Sequence, residues 1–179
     1  ETRSSADTFF VRPRMHLDAL CTFFYQEKEQ SFFYAGESHP MLELTYVDQG
    51  SLHSVADGQD LLLKQGDMVI YGPNQWHMQY ADVDVAPRFV TITFDVDGCD
   101  LSALFNRKCK IPRQALTILQ QMLREQDRLE IYGTDMILSL LQVLLIQLLR
   151  DADKNEGKLQ PTNSVNSENE IVQGALQYI

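Results

Sequence analysis

The sequence predicts a mainly β domain, a small β-barrel followed by an antiparallel pair of helices. Three observations predict it. Short apolar or alternating runs recur through the first hundred residues, each ended by turn-forming residues. The period lengthens from two to about 3.6 after Cys109. A run from Met136 to Leu149 is then apolar at 11 of its 14 positions.

The predicted strands follow in order. Leu17–Tyr25 is followed by the polar Gln26-Glu27-Lys28-Glu29-Gln30, and Ser31–Tyr34 stops at Gly36. Met41–Val47 runs into Asp48-Gln49-Gly50. Ser51–Ala56 and Gln59–Leu63 flank Asp57-Gly58, a dipeptide that tolerates the positive φ of a two-residue hairpin turn. Met68–Tyr71, His77–Ala81 and Arg88–Asp95 complete about eight strands. Short strands at such spacing favour a sandwich or closed barrel, which hides sheet edges.

Pro112 suits the first turn of a helix, where its missing N–H costs nothing. Ala115, Leu116, Leu119, Met122 and Leu123 then mark one buried face. Gly133 is placed to close this helix and Thr134-Asp135 to cap the next, over 135–150. An amphipathic surface helix buries about one stripe, so a helix apolar nearly all round implies burial on more than one side. Residues 151–169 are rich in Asp, Asn, Ser, Lys, Gly and Pro, as in a flexible linker. Helical character returns at 170–179, where Ile171, Ala175 and Tyr178 share a face. The expected organisation is a barrel over 1–111, a helical pair over 112–150, a linker over 151–169 and the start of a further domain at 170.

A chain of 179 residues can bury a core without disulfides or metals. Its net charge of −10 argues against direct contact with nucleic acid, which needs clustered Lys and Arg. Cys21, Cys99 and Cys109 are odd in number and lack a CxxC spacing, as expected of free thiols in a reducing cytosol. The polar Glu1–Asp7 shows no secretory core. The run 136–149, interrupted by Ser139, Gln142 and Gln147, reads as too short to cross a bilayer. A cytoplasmic protein is expected, with no membrane partner.

The most informative stretch is Gly36 to Tyr80. It contains Glu37-x-His39-x3-Glu43-x6-Gly50, then Gly66-Asp67, Pro73 and His77. This pattern resembles the two motifs of the cupin superfamily, with Glu37 standing where the first motif histidine would be. The Gly66-x6-Pro73-x3-His77 spacing resembles the shorter form in AraC-type transcription regulators. Glu43-Leu-Thr-Tyr-Val-Asp-Gln-Gly50, Asp57-Gly58 and Gly66-Asp67-Met-Val-Ile extend the resemblance, which spans most of Leu17–Arg150. It implies an N-terminal, cupin-like (jelly-roll) effector-binding and dimerisation domain. DNA would be bound only through a C-terminal half with two helix-turn-helix units, whose first helix 170–179 resembles.

The implied function is a ligand-responsive transcription regulator, not an enzyme, that takes a small-molecule effector into the barrel. Sugars are among the effector classes of the family. His39, Glu43 and His77 are the candidate polar contacts, with Tyr46, Tyr71 and Trp76 as walls; pockets of this kind are mostly apolar with a few placed polar groups. The plain alternative is that the polar three only bond one another. With Glu37 they also form a His/carboxylate set of the kind that binds divalent metals, although the His-x-His of metal-binding cupins is lost. The chain is expected to carry no metal or cofactor, with metal binding by this set as the alternative. Trp76 and the two tyrosines equally suit rim or core positions.

Arg88 beside Pro87 reads as a solvated strand edge, and His16 and His53 as ordinary hydrogen-bonding residues. Ile137, Leu141, Leu144, Leu145 and Leu148 are the candidate homodimer face, such interfaces being commonly twofold; their plain alternative is core beneath the barrel. A cupin metalloenzyme of isomerase or dioxygenase type is the alternative function, and a purely structural dimerisation module a third.

Overall fold

A computed structural model describes residues 13–82, 85–128 and 130–156. In chain order the elements are β1 (His16–Glu27), β2 (Phe33–Glu37), β3 (Leu42–Gln49), β4 (Ser51–Ala56), β5 (Gln59–Lys64), β6 (Asp67–Tyr71), β7 (His77–Ala81), β8 (Arg88–Asp97), β9 (Cys109–Lys110), α1 (Arg113–Arg128) and α2 (Gly133–Glu156). A short 3-10 turn, Ser102–Leu104, precedes β9.

The strands form two antiparallel sheets, one ordered β1-β8-β3-β6-β9 and the other β2-β7-β4-β5. The eight expected strands are all present, with the short β9 added. The hydrogen bonding draws two sheets, and closure into a barrel is not part of it. The β4–β5 hairpin turns at Asp57-Gly58, with φ of 49° and 75° and Ala56 paired to Gln59. Both central residues of a tight hairpin turn need that region, and glycine enters it freely.

The five-stranded sheet is covered on both faces. Its outer face carries Leu42, Leu44, Tyr46, Met68, Ile70, Val90, Ile92 and Phe94, which pack in one cluster with Ala115, Leu119 and Met122 of α1 and Leu141, Leu144, Leu145 and Leu148 of α2. Its inner face supplies Val47, Val69, Tyr71 and Phe89, which join Leu52, Ala56 and Leu63 of the smaller sheet in a second cluster. The two clusters follow from strand parity, since successive side chains point to opposite faces.

Three expectations change. Gly133 opens α2 rather than closing α1; the turn is made by Tyr132 at φ 61°. The helix also runs on through residues 151–156, so the linker cannot begin at 151. As a result α2 is longer than the run 136–149 suggests, and Gly133–Lys154 is long and apolar enough by composition to cross a membrane. Its Leu141, Leu144 and Leu145 are instead buried in the chain's own core. The expectations for residues 157–179 and for 1–12 lie outside the described residues.

The candidate homodimer face is likewise corrected. Ile137, Leu141, Leu144, Leu145 and Leu148 are all buried against the sheet and α1, because this is the stripe α2 turns to its own core. The apolar positions left open on α2 are Met136 and Val143, with Leu140 half-buried between them in sequence. Leu144→Ala or Leu145→Ala should lower stability by about 2–5 kcal/mol, as buried leucine truncations do. Urea unfolding of each variant checks this; a loss below about 0.5 kcal/mol would mean that the helix does not pack there.

Candidate functional site

Between the sheets, the half not filled by the inner apolar cluster is a cavity of about 410 Å³. Its walls follow from register. Thr22 pairs with Thr93, and Thr93 with Glu43, in one cross-strand row. The next row is Phe24, Thr91 and Thr45, and the next Gln26, Phe89 and Val47. From the smaller sheet, Glu37 stands opposite His77 and Tyr34 opposite Gln79. Polar residues at alternate positions of β3 and β8 therefore face the cavity, while Leu44, Val90 and Ile92 between them face the helices.

One end of the cavity gathers Glu37, His39, Glu43 and His77, whose donor atoms all lie within 4.8 Å of one another. His77 Nε2 is 3.5 Å and His39 Nε2 3.4 Å from the same Glu43 oxygen, and Glu37 is 3.9 Å from His39. Glu43 and His77 are buried, His39 is half-buried and Glu37 is exposed. Both rings are held from behind. His39 Nδ1 is 3.0 Å from the Met41 carbonyl and His77 Nδ1 3.0 Å from the Gln75 carbonyl. A carbonyl only accepts, so Nδ1 carries the proton, and a neutral ring then turns its Nε2 lone pair toward Glu43.

Two lone pairs and a carboxyl oxygen thus converge. His77 Nε2 is buried with no hydrogen-bond partner among the described residues. Burial alone disfavours a charged His77. The Glu43 carboxylate, the Gln75 carbonyl and Glu37 outweigh it and hold the ring above the ordinary histidine range.

The supporting shell is polar and satisfied. Gln79 donates to Thr45 Oγ1 at 2.9 Å, and Thr45 donates to the other Glu43 oxygen at 3.4 Å. Tyr71 stacks on His77 with centroids 4.2 Å apart and shares a hydrogen bond with Ser54. Burial pushes the Tyr71 phenol up to about 12, so it stays a neutral hydroxyl.

Glu37 reaches the cluster through a bulge: the four residues of β2 from Tyr34 to Glu37 stand opposite the three of β7 from His77 to Gln79. Gly36 takes φ +100° there, and a Cβ on it would lie 2.6 Å from the Trp76 ring and 2.8 Å from the His77 carbonyl. Bulges re-aim side chains in this way.

His39, Glu43 and His77 come together as the spacing suggests. Tyr46 does not join them. It is three positions from Glu43, so the two-residue period sends it to the helix-facing cluster. Trp76, next to His77, is not a cavity wall; its indole covers Gly36 and is exposed. Tyr71 stands behind His77 rather than lining the cavity. Arg88 pairs with Glu27 at an exposed edge, and His53 hydrogen-bonds Asp60 and stacks on Tyr80, ordinary roles as expected. The lining residues Thr22, Gln26, Lys28, Thr91, Thr93 and Gln79 carry no motif; their signal is the alternation of polar with apolar residues along β1, β7 and β8.

No protein-family model and no curated protein matches the sequence. Among solved structures, the chain is similar to an RmlC-like cupin from Shewanella frigidimarina at 18% identity and TM-score 0.36, covering 44% of this chain and 67% of that one. It is also similar to an HTH_3 family transcriptional regulator from Vibrio cholerae at 21% identity and TM-score 0.37, covering 41% and 42%. A third is a mutant of Bacillus subtilis oxalate decarboxylase at 17% identity and TM-score 0.36, covering 50% and 23%. These likenesses do not show AraC-type membership. The expectation that the chain is not an enzyme is corrected: a decarboxylase stands among the similar structures, and that exclusion is withdrawn.

Gly36→Ala should cost about 1–3 kcal/mol, the usual penalty for a side chain in that backbone region plus its clash with Trp76. Gly58→Ala, with nothing within 4 Å of the added Cβ, should cost less. Chemical denaturation of the two variants compares them directly.

Proposed function

We propose that the chain is a cupin-like ligand-binding domain in which Glu37, His39, Glu43 and His77 hold a divalent cation. The observation that carries this reading is the pair of Nδ1–carbonyl hydrogen bonds that turn both Nε2 atoms onto one oxygen of Glu43. Metal-ligating histidines are oriented by such a bond from the other ring nitrogen. Mixed imidazole and carboxylate ligands suit first-row divalent ions, Mn²⁺, Fe²⁺ and Zn²⁺ among them. The buried, unpartnered His77 Nε2 fits the same group. A cation bound there would supply a Lewis-acidic attachment point for the oxygens of a small ligand in the cavity.

The test is calorimetric titration of the chelator-treated chain with Mn²⁺ and with Zn²⁺. One equivalent should bind, and His77→Ala or Glu43→Gln should each weaken binding by tenfold or more, on the order of the loss seen for supporting residues. Circular dichroism confirms that the variants remain folded. No binding to the wild-type chain, or equal binding by the variants, overturns the reading.

A regulatory role, as the sensing module of an AraC-type regulator, is favoured by a separate observation. The β1–β8 wall of the cavity is backed by the helical pair, and Gln126 and Gln142 donate to the Phe23 and Met15 carbonyls. Occupancy on one face of the sheet can therefore bias the helices on the other, provided the ligand prefers one of two arrangements. A homodimer in this reading uses the open stripe Met136, Leu140 and Val143 of α2. Val143→Asp should then leave the fold intact and convert a dimer to a monomer by light scattering. A folded variant of unchanged mass removes that stripe as the interface.

A further inference from the structure

The end of the cavity away from the carboxylate–histidine cluster is formed by Lys28 and Phe32. Register places them there. Glu43 is level with Thr22, Gln26 lies two rows further along β1, and Lys28 follows just beyond. On the opposite sheet Phe32 hydrogen-bonds Ala81, whereas His77 starts the same strand at the cluster end.

Lys28 differs from the other residues that line the cavity. It is the one cation among the described lining residues, in a chain of net charge −10. It is half-buried, its ammonium sits 5.2 Å from the centre of the Phe32 ring, and no carboxylate among the described residues pairs with it. Glu27 beside it is taken by Arg88.

Its position is held by the backbone. Lys28 donates its N–H to the Pro87 carbonyl, Phe32 donates to Glu29, and Ala81 donates to Phe32. Phe32 in turn packs on Phe89 with centroids 5.8 Å apart. An ammonium held over an aromatic face at one end of a cavity, with no carboxylate partner among the described residues, is prepared for an anion from outside. Between it and the cluster run the hydroxyls of Thr22, Thr91 and Thr93 and the amide of Gln26, groups that match ligand hydroxyls.

We propose that Lys28 is an anion subsite, and that the cavity takes a hydroxylated small molecule whose carboxylate or phosphate lies against Lys28 while its other end meets the Glu37–His39–Glu43–His77 cluster. The location of the second end rests on the ligand-binding reading above; the subsite itself does not need the metal.

The test uses three probes with one six-carbon hydroxylated skeleton: neutral sorbitol, gluconate with a carboxylate, and sorbitol 6-phosphate. Each is titrated by calorimetry into the chain, with and without Mn²⁺, alongside Lys28→Gln and Lys28→Arg. At least one anionic probe should bind about tenfold or more tighter than sorbitol, as a charge-assisted bond implies. Lys28→Gln should abolish that preference and Lys28→Arg should keep it. The better anion identifies carboxylate or phosphate as the group recognised.

If neither anion is preferred, if nothing binds, or if Lys28→Gln binds all probes like wild type, the subsite is overturned. Anion preference lost in Lys28→Gln without any Mn²⁺ binding would overturn the metal reading and leave the subsite standing. Mn²⁺ binding by the wild-type chain without any anion preference does the reverse.

Discussion

A carboxyl group cannot sit inside a protein without partners, and the architecture of this domain is arranged around one that does. Glu43 is buried in the middle of the larger sheet, where an isolated carboxylate would cost several kcal/mol. One of its oxygens is held through Thr45 and Gln79, and the other faces two imidazoles. That second oxygen is where the chemistry resides. Both rings are locked from behind by backbone carbonyls, so the cluster is prepared for a positive charge, whether proton or metal.

The same carboxylate explains why the larger sheet needs two distinct faces. β3 and β8 alternate apolar and polar residues over the stretch that crosses the cavity. Their apolar residues meet α1 and α2, and their polar residues meet the space between the sheets. Without the helices, Leu44, Val90 and Ile92 would lie open to water; roughly 25 cal/mol per Å² of apolar surface favours covering them. The helical pair is therefore structural first. Any part it has in association falls to residues the core leaves over, and any part in signalling passes through the sheet that it shares with the cavity.

The cavity is polarised along its length. Two carboxylates and two imidazoles gather at one end, an ammonium over a phenyl ring stands at the other, and threonine hydroxyls lie between. A symmetrical or wholly apolar ligand leaves one of these ends unsatisfied. Polar groups placed at both ends of a pocket set orientation as well as affinity, because a reversed ligand strands them both.

Period and turn chemistry alone determine that this chain is a β domain with a helical pair, because alternation and the 3.6-residue repeat are local properties of the backbone. The order and spacing of His39, Glu43 and His77 also mark the cluster, although β3 and β7 lie in different sheets and only the facing of the two sheets brings Glu43 and His77 together. Parity was equally local, and it rules out Tyr46 beside Glu43 and Trp76 beside His77 as joint walls of one cavity. What only the tertiary structure decides is which face of each element looks inward and what meets it there. The stripe Ile137, Leu141, Leu144, Leu145 and Leu148 is as apolar as a dimer interface, yet the sheet claims it. Glu37 joins the cluster only because a bulge at Gly36 re-aims it, and Lys28 is held at the cavity by the hydrogen bond from its N–H to the distant Pro87 carbonyl. Such placements depend on contacts between residues far apart in the chain, which no local pattern records.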